Sequence, residues 1–188
     1  MTLVEAAVET LDSALAAERA GADRIELCDN LSDGGTTPGA ELIATVAERA
    51  RLPVFVLIRP RAGGFVYSDD EFQTMVRDIG LAVRLGIAGI VTGALTPDGR
   101  VDAGRTRSLV EAATGLPVTF HRAIDSAVNL AAALEQAIEA GASRVLTSGG
   151  APTALEGVDL IATLVDRARE RITVVAGGGI RQHNVRDV

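Results

Sequence analysis

Three stretches of this chain, Ala20-Gly21-Ala22-Asp23-Arg24-Ile25, Leu85-Gly86-Ile87-Ala88-Gly89-Ile90 and Ala140-Gly141-Ala142-Ser143-Arg144-Val145, repeat one local design. In each, a glycine closes a segment of helical apolar spacing, and a β-branched residue a few positions on opens an extended run. Glycine just past a helix takes the left-handed conformation without a Cβ penalty, so the same helix-to-strand joint is used three times. Upstream of the joints the spacing is helical: Phe72, Val76, Ile79 and Val83 in one segment, Leu130, Leu134, Ala137 and Ile138 in another. A third segment carries Ile161, Leu164 and Val165 in the same way. Helix starts are marked by Ser68-Asp69-Asp70-Glu71, which fits a capping box, and by Thr37-Pro38, a capping hydroxyl before a proline suited to the first helical position.

Short β-rich runs are expected at about 4–8, 24–28, 54–58, 89–92, 118–121, 144–147 and 173–176, alternating with helices. Strict alternation gives a parallel sheet by right-handed crossovers, either an open doubly wound sheet or a closed barrel. Polar residues at many strand ends, namely Glu26, Arg59, Thr92, His121 and Ser148, favour the barrel, because a doubly wound sheet gathers them at one switch point. The expected fold class is therefore α/β, a parallel (βα)8 TIM barrel here lacking its eighth βα unit. The expected organisation is one domain over 1–188, truncated at its C-terminus inside the seventh helix.

The 188 residues carry 47% hydrophobic and only 3% aromatic side chains, enough for one sizeable core and suited to helix-on-sheet packing. A net charge of −7 with no basic block argues against nucleic acid as a partner. Apolar runs such as 54–58 fall far short of the roughly 20 residues of a membrane helix. Residues 1–10 alternate and carry Glu5 and Glu9, which reads as a first strand rather than a cleavable signal. A single cysteine, Cys28, forms no internal disulfide, which agrees with a reducing, cytoplasmic setting.

On the second strand Ile25 and Leu27 alternate with Arg24, Glu26 and Cys28, which turns Glu26 and Cys28 toward the barrel lumen. Glu5 is expected to point the same way. Two inward carboxyls need cationic partners or protonation, and Arg59, Arg61 and Arg122 are the candidates. Arg59 and Arg61 sit on a proline-stiffened turn beside Gly63-Gly64, where their planar forks suit a carboxylate or phosphate. The segment 62–68, with Phe65 and Tyr67, reads as a lid. In Thr119-Phe120-His121-Arg122-Ala123-Ile124-Asp125 the histidine is a candidate general acid, base or metal ligand, with Arg122 and Asp125 beside it. Ser148-Gly149-Gly150 and Gly177-Gly178-Gly179 are candidate anion cradles built from backbone N–H groups, with tight turning as the plain alternative. For a metal, Cys28 is the candidate ligand, joined at most by His121 or by a second molecule, because soft Cu(I) prefers sulfur.

These motifs, together with Val91-Thr92-Gly93 and Arg144-Val145-Leu146-Thr147-Ser148-Gly149-Gly150, resemble the CutC family in order and over nearly the whole chain. The resemblance implies an eight-stranded TIM barrel, commonly a homodimer, with a cytoplasmic role in copper homeostasis and Cu(I) as a possible ligand. It also implies a longer chain, by about one further βα unit and a tail. Where the family often has a cysteine after the first-strand glutamate, Glu5-Ala6-Ala7 has alanine, which leaves Cys28 as the matching sulfur. The residues themselves support a different class of function: a barrel enzyme acting on a small phosphorylated or carboxylated metabolite. There Glu26 and His121 serve as acid and base with Asp125 beside them, and Arg59, Arg61, Arg122, Ser148, Gly149, Gly177 and Gly178 hold the anion.

Overall fold

The computed structural model describes residues 3–185 and 187–188. Strand and helix alternate from β1 (Glu5–Val8) through α1 (Leu11–Arg19), β2 (Arg24–Leu27), α2 (Ala40–Arg49), β3 (Val54–Leu57), α3 (Asp69–Arg84) and β4 (Gly89–Thr92). The order continues with α4 (Ala103–Ala112), β5 (Val118–Phe120), α5 (Leu130–Glu139), β6 (Arg144–Thr147), α6 (Val158–Ala168) and β7 (Thr173–Ala176). The fold is parallel α/β. Two compact units are distinguished, one reaching to Thr92 and including Glu111–Pro117, the other comprising Gly93–Val110 and the chain from Val118 onward.

In the first unit β1, β2, β3 and β4 pair in parallel, in chain order. The registers Glu5↔Arg24 and Ala7↔Glu26, then Glu26↔Phe55, then Phe55↔Gly89, put these side chains on one face, since residues level with one another across a parallel pair point the same way. All four residues of β3 are buried, as expected for a strand covered on both faces. In the second unit β5, β6 and β7 pair in the same sense, Thr119↔Arg144 and Thr147↔Ala176 among the levels.

The glycine joints form as their composition requires. Gly21, Gly86 and Gly141 have φ of 87°, 81° and 93°. At the first, the Gly21 and Ala22 amides donate back to the Glu18 and Ala17 carbonyls; at the third, Gly141 and Ala142 donate to Ile138 and Ala137. This is the paired bonding that satisfies the last carbonyls of a helix. Helix α3 opens on the expected capping box, with Ser68 Oγ accepting from the Glu71 amide and the Glu71 side chain accepting from the Ser68 amide.

Three expectations need correction. Thr37 does not cap α2, which starts at Ala40 behind Gly39. Its hydroxyl instead accepts from the Arg59 amide, 2.9 Å, and its own amide donates to the Arg59 carbonyl, so Thr37 is spent on extending β3. The fifth strand ends at Phe120, because His121 leaves it to cap the short 3-10 turn Arg122–Ser126. On the helices the buried stripe is offset by a residue in places: Met75, Ile79 and Ala82 are the buried residues of α3, and in α6 Ala168 is buried while Val165 is exposed.

Candidate functional site

In the first unit the shared face of β1 and β2 carries a carboxyl pair. Arg24 Nε donates to Glu5 Oε2 at the surface-shielded end of the strands. Glu26, one pleat further on, is hydrogen-bonded to Glu5 and pushed up to about 8, first by burial and then by the Glu5 charge. Near neutral pH Glu26 therefore holds a proton, and the pair carries one negative charge against one guanidinium. The cation against Glu5 is Arg24, not one of the loop arginines that the sequence pointed to. Arg24 and Glu26 occupy i and i+2 of one strand, which was the available signal. Arg24 also lies over the Phe55 ring, 4.8 Å from its centroid.

Cys28 continues the same face and is fully buried against Phe55, Leu57 and Val91. Its Sγ is 3.6 Å from the Val8 carbonyl. Burial, reinforced by the charges of Glu26, Glu9 and Asp29, pushes the thiol up to about 12. Cu(I) takes a thiolate with further soft or imidazole donors. A protonated thiol in an apolar cluster does not provide that set, and among the described residues no group of three or more His, Cys, Asp or Glu side chains is placed to hold a metal ion.

Arg59 follows β3 and is 5% exposed. Its Nη1 donates to the carbonyls of Gly35 (2.8 Å) and Asp33 (3.3 Å), and its Nη2 to that of Gly63 (2.7 Å). Phe65 stacks on the guanidinium at 4.9 Å. Arg61 is bound otherwise. Its Nε donates to Glu71 (2.5 Å), Nη1 to the Gly64 carbonyl (2.8 Å) and Nη2 to the Val66 carbonyl (2.9 Å), while the Tyr67 ring lies 5.3 Å away. The loop is thus wrapped around Arg61, and Glu71 serves the helix cap and this arginine together. Burial pushes the Tyr67 phenol up, against the pull of the Arg59 and Arg61 charges.

The second unit brings His121, Arg122, Asp125 and Ser148 together. Asp125 Oδ1 accepts from Thr147 Oγ1 (2.5 Å), the Ser148 amide (3.1 Å) and the Gly150 amide (3.1 Å). Its Oδ2 accepts from Arg122 Nε (2.9 Å) and the Ser148 amide (3.0 Å). Ser148 Oγ accepts from Arg122 Nη2 (2.8 Å). His121, 4% exposed, accepts at Nδ1 from the Ala123 amide (3.2 Å), which leaves the ring proton to Nε2. The loop amides expected to cradle an external anion are in part spoken for: Gly149 donates to Thr147 Oγ1, Gly150 to Asp125, and Gly177 to the Thr147 carbonyl. Gly178, at φ 107°, passes so close to Arg122 that a Cβ there would stand 3.0 Å from the guanidinium carbon. His183 lies exposed in the last turn.

These side chains sit on a parallel βα repeat and define an α/β protein with polar groups carried at the carboxyl ends of its strands. The CutC family model matches residues 2–188, and the chain belongs to the CutC family. It is 49% identical over 186 residues to the copper homeostasis protein cutC homolog of Homo sapiens, an alignment spanning 99% of this chain and 68% of that protein. A CutC family protein of Xanthomonas campestris pv. campestris is 50% identical over 182 residues, covering 97% of this chain and 76% of the relative. Among solved structures, CutC from Streptococcus agalactiae superimposes with a TM-score of 0.92 at 35% identity, over 99% of this chain and 92% of that one.

Proposed function

We propose that this chain serves copper homeostasis in the cytoplasm, as a homodimer of closed βα barrels, and that it does so without Cu(I) held at Cys28. The observation that carries the role is the 49% identity, over 99% of this chain, with the human protein named as a copper homeostasis protein cutC homolog. The burial and protonation of Cys28 support the second half of the reading. The test is complementation. In cells lacking the gene, wild type and Cys28→Ser restore growth in excess copper equally, and anaerobic Cu(I) titration gives the same affinity for both. Rescue by wild type alone, or tight binding abolished in Cys28→Ser, overturns it.

A second reading is favoured by the Glu26 carboxyl, which with its value near 8 is fit to donate a proton in neutral solution. On this reading the chain is an enzyme for a small phosphorylated or carboxylated metabolite, with the Glu26 carboxyl as its proton donor. A thermal-shift screen of such metabolites is expected to raise the melting temperature with at least one class; a flat screen ends the reading.

A further inference from the structure

We infer that the groove between α5 and the C-terminal half of α6 is a binding site for a phosphate monoester, whose phosphate group is held by the guanidiniums of Arg167 and Arg169. The groove has a volume of about 700 Å³ and is lined by Glu135, Thr163, Asp166, Arg167, Arg169 and Arg171. Small-molecule sites run from roughly 300 to 1,000 Å³. The groove belongs to the second unit and lies where α6 runs out toward the start of β7, whereas Arg122, Asp125 and Ser148 stand at the carboxyl ends of β5 and β6. One carboxylate sets two of its guanidiniums: Glu135 Oε1 accepts from Arg167 Nε (3.0 Å) and Arg171 Nη2 (3.0 Å), and Oε2 accepts from Arg171 Nη1 (2.7 Å). Arg171 also donates from Nε to the Ala168 carbonyl (3.2 Å) and from Nη2 to the Arg167 carbonyl (3.0 Å). These bonds cover carbonyls at the end of α6, whose partial negative charge would otherwise repel an anion. Arg167 is held by Nε alone, so its two terminal nitrogens have no partner among the described residues.

Arg169 supplies the second fork, at a conformational cost. Helices α1, α3, α4 and α5 each reach the next strand through a left-handed glycine, namely Gly21, Gly86, Gly115 and Gly141. After α6 that conformation falls on Arg169 (φ 46°) and Glu170 (φ 65°), where a Cβ makes it unfavourable. The Arg169 side chain is exposed and makes no hydrogen bond or ion pair among the described residues. The chain therefore holds an arginine where glycine would fit without strain, and no bond within the fold requires it. Two open guanidiniums on one groove suit a phosphate dianion, each offering it a pair of N–H donors. Three guanidiniums face two carboxylates there, on a chain whose net charge is −7. One of those carboxylates, Glu135, is shared by two arginines that hold it well below the usual carboxylate range. The other, Asp166, is the acceptor for a hydroxyl on the rest of the ligand.

The groove contains neither Cys28 nor Glu26, so it can fail or stand while both readings of the preceding section are judged separately. Isotope-labelled wild type is titrated with glycerol phosphate and, separately, with glycerol, at ionic strength held constant with chloride. Glycerol phosphate is expected to give saturable shifts in the Nε–H signals of Arg167 and Arg169 and in the amides over 163–171, and glycerol to give none. Arg169→Gly removes the fork and relieves the left-handed strain together. It is expected to weaken binding about tenfold and to raise the melting temperature by about 2–4 °C. Arg100→Gln, which removes another exposed guanidinium, leaves binding unchanged. No saturable shift with glycerol phosphate overturns the inference, as do equal shifts with glycerol or binding retained in full by Arg169→Gly. If Arg169→Gly melts lower than wild type, Arg169→Lys decides, since it keeps the Cβ and the charge and loses the fork. Binding weakened about tenfold in that variant sustains the site, and unchanged binding removes it.

Discussion

Arg59 and Arg122 occupy comparable places, each just beyond a strand whose end faces its unit's polar residues, yet their charges are treated in opposite ways. Arg122 is 40% exposed at its side chain, pairs with Asp125 at 2.9 Å and gives a second bond to Ser148. Water and a carboxylate both share its charge. Arg59 is 5% exposed and meets backbone carbonyls, the Phe65 face and the Tyr67 phenol, none of them a carboxylate. The difference teaches that residue type and strand-end position do not settle how an arginine's charge is met; the groups beside it do. In the second unit the carboxylate is part of the chain, and Asp125 fills the cradle that the loop 147–150 would offer to an anion. In the first, neutral groups take that place: backbone carbonyls and the Tyr67 phenol surround Arg59.

The comparison breaks first at Asp125. Asp125→Ala removes the acceptor for Thr147, Ser148, Gly150 and Arg122 at once, and is expected to cost about 3 kcal/mol in urea unfolding. A loss near zero would mean that the loop holds itself. Arg59→Met is expected to cost less, about 1–2 kcal/mol in anion-free buffer, because relief of an unpaired buried charge offsets the three carbonyl bonds. A cost above that of Asp125→Ala would show that Arg59 is the greater structural element. The smallest effect is a pH dependence. Glu26 has a native value near 8, above its unfolded value of 4.5, so the native state binds the extra proton between them. The stabilisation is complete below about pH 4.5 and is lost as pH rises through 8. Wild type is expected to lose about 1 kcal/mol between roughly pH 6 and pH 8, discounted for solvent access to the pair. Glu26→Gln, which stays neutral, should flatten that slope in urea titrations at each pH. An unchanged slope would mean that Glu26 is ionised, and would put a carboxylate back on the face that Arg59 shares.

The parallel repeat was legible because it is written in local chemistry. Gly21, Gly86 and Gly141 each mark a helix end, and Ser68 with Glu71 marks a helix start, through bonds made within a few residues of chain. Thr37 was misread because its competing partner, the Arg59 amide, lies 22 residues away. The stripe of α3 was read as Phe72, Val76, Ile79 and Val83, whereas Met75 and Ala82 are the residues buried with Ile79; apolar spacing locates a face to within one position. At the site, the residue types were visible and their partners were not. Asp125 read as a catalytic carboxyl, and only coordinates show how many donors already converge on it. That Arg24 answers Glu5, and that Glu26 keeps a proton, depends on the register between β1 and β2; the i, i+2 spacing of Arg24 and Glu26 shows only that the two share a face.

The sealed thiol of Cys28 has a practical consequence. With no exposed surface and a value near 12, it offers almost no nucleophile to a disulfide reagent or an alkylating agent at neutral pH while the chain stays folded. Only opening of the β1–β3 layer uncovers it, so the rate at which such a reagent labels the protein is a clock for unfolding of that layer, readable in crude mixtures by a mass increment on a single peptide.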